Sequence, residues 1–197
     1  MFELPTSLEI DNKTYEIRNK ADFRVILDCF DALDDAELDI TYRIYTCLII
    51  FYKNINSIED VVNNFGQEHI QEAVDKMFNF FNCGQNTIGA NVNYKLVDWK
   101  QDQQLIASAI NSVAKVEVRS LDYLHWWTFM GYYLSIGDSP FSTVVSIRNK
   151  IKKGKKLENY EREFKKNNPQ YFIWNSETTN TKQIENEIRD LWNNNGG

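Results

Sequence analysis

The chain has 197 residues, 43% of them hydrophobic and 25% charged, which is enough apolar material to bury a core. Its net charge of −6 argues against a nucleic-acid-binding chain as a whole. Its three scattered cysteines, Cys29, Cys47 and Cys83, form no CxxC and suit a reduced, intracellular protein better than a disulfide framework.

In chain order, the first signal is a hairpin. Leu8, Ile10, Tyr15 and Ile17 alternate with polar residues around Asp11-Asn12-Lys13. Helical spacing follows: Phe23, Ile26, Leu27, Phe30 and Leu33 share one face. A second helix carries a stripe of Leu38, Tyr42, Tyr45, Ile49 and Tyr52, with Ile44, Leu48 and Phe51 beside it, and so reads as a central helix. Ser57 with Asp60 predicts a capped start and Gly66 a stop. Ile70, Val74, Met77, Phe78 and Phe81 predict another amphipathic helix, ended by Cys83-Gly84. The stretch 84–97, rich in glycine and asparagine, has no period and reads as a loop.

The second half opens with Asp98 as expected N-cap for a helix bearing Leu105, Ile106, Ala109, Ile110 and Val113. Ser120 is the expected cap of an aromatic helix, LDYLHWWTFMGYYLSI at 121–136, with Asp122 in its first turn and Gly137 at its end. Ser139-Pro140 starts the next helix, lined by Val144, Ile147 and Ile151 and closed by Gly154. Leu157, Tyr160 and Phe164 mark one more, before Pro169. After Trp174, NSETTNTKQ reads as a linker to a short amphipathic tail in which Ile184, Ile188, Leu191 and Trp192 are candidates for docking on a partner.

The aromatic segment could be core, a binding surface or a chemical site. His125 has one other histidine in the chain, His69, and no HxxxH or HxxE around it, so a hydrogen-bonded core histidine is the stronger reading. Tyr123, Trp126, Trp127, Phe129, Tyr132 and Tyr133 would surround a helix on all sides, which suits burial. Base stacking normally comes with a basic groove, and the segment holds no lysine or arginine. These residues and Phe141 are candidates for core or partner contact. GxSxG, GxxxxGK[ST] and GxGxxG are all missing, so no catalytic residue, cofactor, metal or small-molecule substrate is assigned. The apolar stretches at 44–52 and 123–136 are too short or too polar to span a membrane, and the N-terminus shows no signal-peptide pattern.

Charge is unevenly distributed. Residues 28–39, DCFDALDDAELD, hold six carboxylates and no base, whereas 148–166 hold nine basic and three acidic side chains. Both can be solvated helix faces, and the basic run could also meet nucleic acid, although aromatic interleaving is sparse. The sharper reading is electrostatic association through Asp31, Asp34, Asp35 and Glu37 on one side and Lys152, Lys153, Lys155 and Lys156 on the other.

Four stretches resemble one family. They are LPTSLEIDNKTYEI at 4–17, LDCFDALDDAEL at 27–38, VDWKQDQQLIASAIN at 97–111 and the run from Val118 to Asn168, which contains LHWW, FSTVVSIR and GKKLENYE in order. In these the chain resembles the bacteriophage family named after gene product fifteen, from tail modules of long-tailed phages and prophages of Gram-positive bacteria. The resemblance implies a tail assembly chaperone that keeps the tape-measure protein soluble for tail-tube polymerisation in the host cytoplasm and is absent from the mature virion. Self-association and a companion tail chaperone belong to the same expectation; a minor tail or tail-completion component retained in the virion is the alternative. The expected fold is mainly α, a multi-helix globular protein with a small N-terminal β-hairpin. The expected divisions are 1–83, a loop at 84–97, a helical half at 98–174 built on the aromatic helix, and a linker and tail at 175–197.

Overall fold

The computed structural model describes residues 3–85 and 95–174. The fold is mainly α with one small antiparallel hairpin. The tail residues Ile184, Ile188, Leu191 and Trp192 and most of the 84–97 loop lie outside the described residues.

The described chain falls into two compact units, one of 3–85 with 123–130 and the other of 95–122 with 131–174. In the first, strands β1 (Ser7–Ile10) and β2 (Lys13–Glu16) pair with Ile10 opposite Lys13. Asp11 and Asn12 both take positive φ, the two-residue turn that matches strand twist and that the Asp-Asn pair favours. Helices α1 (Phe23–Leu33), α2 (Ile40–Phe51) and α3 (Ile58–Phe81) follow, and α2 packs on both of the others. Asp22 caps α1, Asp39 caps α2 and Ser57 caps α3, each accepting a backbone N–H of the first turn. The C-terminal carbonyls of α2 need donors, and Arg18 supplies them, reaching Ile49 O, Ile50 O and Tyr52 O as well as Ile55 O.

Two expectations fail here. The buried face of α2 is Ile44, Cys47, Leu48 and Phe51, not the stripe headed by Leu38 and Tyr42, which are 36% and 56% exposed. Both stripes satisfy helical spacing; α1 and α3 pack on α2, and of the predicted stripe Tyr52 alone is buried, its hydroxyl donating to Ala73 O. Gly66 does not stop its helix. It sits at φ 65° and ψ 163°, a conformation nearly restricted to glycine, and α3 bends there and continues, with Phe65 and Ile70 buried on either side.

The second unit contains α4 (Gln103–Ala114), the later part of α5 (Trp126–Leu134), α6 (Pro140–Lys152) and α7 (Asn159–Asn167). Ser139 and Ser142 form a reciprocal capping box around Pro140 at the start of α6, and Gly154 closes that helix at φ 63°. Asp98 is not the cap of α4. It closes the preceding turn by accepting Lys100 N and Gln101 N, and the helix starts after Asp102. On α7 the buried side chain is Glu161, bonded to Lys150 at 2.7 Å, while Tyr160 is 64% exposed.

Candidate functional site

The aromatic segment is not one helix. Helix α5 starts only at Trp126, and Ser120 instead ends a short 3-10 turn at Val118–Ser120. Residues 123–125 run extended beside the start of α1: Phe23 N donates to Leu124 O, Leu124 N donates to the buried Asp22 carboxylate, and Tyr123 Oη donates to Lys20 O. Asp22 thereby joins α1 to a segment 102 residues away, with Arg24 as its counterion at 3.0 Å.

The two tryptophans act as donors. Trp126 Nε1 donates to Phe81 O and Trp127 Nε1 to Phe80 O, at 2.9 and 3.0 Å. These carbonyls belong to the last turn of α3, where intrahelical donors run out; Phe80 O accepts Cys83 N–H as well. Trp126 is buried against Phe30 and Phe129, and Phe129 stacks on Phe23 at 4.6 Å. The densest aromatic patch of the sequence is therefore a lid on the end of α3 and part of the first unit's core.

His125 is 2% exposed. Its Nδ1 accepts Trp127 N–H, as an N-cap would for α5, so the proton of the neutral ring sits on Nε2 and is donated to Pro5 O. Burial pushes the imidazole below its ordinary pKa, against a weaker upward pull from the Pro5 carbonyl. Both ring nitrogens are thus engaged by backbone. Among the described residues no three His, Cys, Asp or Glu side chains converge as a metal site. Burial also holds the Cys29 thiol well above its ordinary pKa, with its Sγ against Cys47 O.

In the second unit the organising group is an ion pair. Asp102 is fully buried and Arg148 4% exposed; the guanidinium binds both carboxylate oxygens at 2.6 and 2.9 Å. Arg148 also donates to Leu96 O and Tyr171 O and stacks on Trp174, while Asp102 accepts Asp98 N. One pair thus ties α4, α6 and both flanking segments together. Tyr133 lies between Trp99 and Phe141, and burial together with the Asp102 charge pushes its phenol up to about 12.

This scaffold holds a groove of about 330 Å³. One wall is a face of α4 formed by Leu105, Ala109, Ser112 and Val113, with Ser108 beside them; the other is the stretch from Ile136 to Pro140. Helix α4 is apolar on two faces: Ile106 and Ile110 turn into the core, and Leu105 and Val113 line the groove half-exposed. The groove is the kind of surface that accepts apolar anchors from another helix.

The family model of the bacteriophage Gp15 protein matches residues 1–172. The chain belongs to that family. Membership assigns it to phage structure or morphogenesis rather than to an enzyme family. No curated protein and no solved structure matches it.

Within this Gp15-family chain the candidate residues are distributed as follows. His125, Trp126, Phe129 and Phe141 are buried; Trp127, Tyr132 and Tyr133 are half-buried, and Tyr123 is 46% exposed. Asp31, Asp35 and Glu37 are exposed and Asp34 half-buried; Lys152, Lys153, Lys155 and Lys156 are all exposed. The structure also shows that the basic run is not uniform, because Arg148 and Lys150 are engaged with Asp102 and Glu161. The α4 groove was not anticipated, although the double apolar periodicity of 105–113 was a signal for it. No helix of the described residues is long and apolar enough to cross a membrane.

Proposed function

We propose that the chain is a tail assembly chaperone, which binds the tape-measure protein in the host cytoplasm and keeps it soluble until the tail tube polymerises around it. The observation that carries this reading is the α4 groove in a chain of the Gp15 family. A tape-measure chain is long and helical, and its apolar stripes need temporary cover. A groove with Leu105, Val113 and Ile136 in its walls and serines at its rim offers contact to apolar anchors at i and i+4 without the dry, large interface that would make release slow. Weak, repeated contacts along the client suit a protein that must later be displaced.

The test is co-expression with the tape-measure protein of the same tail module, followed by affinity purification and mass measurement. Wild type is expected to carry the tape measure into the soluble fraction. The variant Ser108→Arg/Ser112→Arg, which fills the groove from two exposed positions, is expected to lose the client while keeping wild-type circular dichroism. A tape measure that stays insoluble with wild type, or that co-purifies equally with the filled groove, refutes the reading. Mass spectrometry of purified virions separates the chaperone, expected to be absent, from a retained tail component.

A further inference from the structure

We infer that the chain associates head-to-tail with further copies of itself, the acidic corner between α1 and α2 of one copy receiving the basic arm formed by the end of α6 and by α7 of the next. Neither surface uses a residue that lines the α4 groove, so this inference stands apart from the proposed client binding.

The acidic surface has an apolar centre. Leu38 and Tyr42 are exposed at the α1–α2 corner, and Tyr45 and Ile49 continue the same stripe along α2, half-buried. Around them lie the carboxylates of 28–39. Asp35 accepts Glu37 N and Asp39 caps α2; among the described residues neither is in an ion pair, and Glu37 is exposed. Arg43, in the first turn of α2, donates to the Leu38 and Leu33 carbonyls. Burial and the neighbouring Asp31 charge raise the Asp28 carboxyl, as expected where like charges crowd.

The basic surface mirrors it. Ile151 and Tyr160 are 40% and 64% exposed, and Lys152, Lys153, Lys155, Lys156, Lys165 and Lys166 are exposed around them. Among the described residues none of these six lysines has an ion-pair partner. Acidic residues do occur on the arm, but Glu161 is buried on Lys150 and Glu158 serves in the α7 capping box; Glu163 is exposed and has no ion pair among the described residues.

Each surface thus offers what the other lacks: apolar side chains ringed by one sign of charge. A second copy supplies both at once, whereas a polyanion would meet an overall charge of −6 and would leave the acidic corner unused. Because the contact joins two different patches, each copy keeps one free patch, and association continues beyond a pair. The ion pairs are exposed and screened by salt, so the contact is weak singly and falls with ionic strength.

The experiment is sedimentation velocity of the full chain, freed of nucleic acid, at about 50 mM and about 500 mM salt, which differ severalfold in screening. Wild type is expected to show species larger than a monomer at low salt, lost at high salt. Asp35→Asn/Glu37→Gln and Lys155→Gln/Lys156→Gln are each expected to be monomeric, with at least tenfold weaker association and unchanged thermal unfolding. Mixed one to one, they retain a single working pair of patches and are expected to form a two-copy complex and nothing larger. A wild-type chain that is monomeric at low salt overturns the inference. So does persistent assembly of either variant, or a mixture that fails to associate. Lysine-dependent retention of nucleic acid by a chain that is monomeric once stripped would assign the basic arm to nucleic acid instead.

Discussion

Asp102→Asn removes one charge and almost no volume, and it tests whether the buried pair organises the second unit. The guanidinium of Arg148 binds both Asp102 oxygens, and the two residues are 4% and 0% exposed. Asparagine can accept one of those two bonds but turns an NH2 group toward the other, and arginine cannot shed its proton. A buried cation without its counterion costs about 3–5 kcal/mol, a large share of the ~5–15 kcal/mol that stabilises a typical domain. With a urea dependence of about 2 kcal/mol per molar, the midpoint falls by roughly 2 M. Arg148→Met is expected to cost a similar amount by a different route, since it strands the Leu96 and Tyr171 carbonyls at ~1–3 kcal/mol each. The double variant contains neither full charge, so its loss is expected to be smaller than the sum by about 1–3 kcal/mol. Urea titrations read by circular dichroism and by tryptophan fluorescence measure all three, with Trp174, stacked 4.4 Å from the guanidinium, as a local reporter. A midpoint shift of only a few tenths of a molar for Asp102→Asn, or strictly additive losses, refutes the reasoning.

Two other outcomes follow from the first unit. Trp126→Phe keeps an aromatic ring but leaves Phe81 O without its donor, and is expected to lose about 1–3 kcal/mol in chemical denaturation; an unchanged midpoint would mean that carbonyl finds another partner. His125 is held below its ordinary pKa of 6.5, so below pH 6.5 the unfolded chain takes up the proton first. Stability is therefore full above pH 6.5 and falls by up to about 1.4 kcal/mol per pH unit as the pH drops toward the folded-state pKa. His125→Asn, whose amide oxygen can still accept Trp127 N–H, is expected to flatten this part of the profile; equal slopes for both proteins between pH 7 and about 5.5 would exclude the histidine as the cause.

Local patterns disclosed most of the elements. Alternation at Leu8, Ile10 and Tyr15 marked the hairpin, and serine caps marked the starts of α3 and α6, because those signals are set within a few residues. Choices between equivalent local solutions were not legible. Asp98 and Asp102 both suit a helix start, and the difference lies with Arg148, 46 residues beyond Asp102. Leu38 and Tyr42 share helical spacing with the true buried face of α2, and only the packing of α1 and α3 decides between the two stripes. The segment before Trp126 is extended because Asp22 and Phe23 hold its backbone, a tertiary constraint that overrides local helix preference. The candidate groove was half-visible: α4 supplies one wall from its own periodicity, but the Ile136–Pro140 wall arrives through the fold.

The donors that cap α3 have a consequence for synthesis. Trp126 is made 45 residues after the carbonyl it satisfies. At about 5–20 residues per second, translation leaves Phe81 O without this donor for roughly two to nine seconds. During that interval the ribosome delivers residues 95–122, which belong to the other compact unit. The first unit is thus begun first but cannot be finished until part of the second has been made, and a chain interrupted between these points emerges without the Trp126 donor to Phe81 O. Translation itself orders the assembly of the monomer.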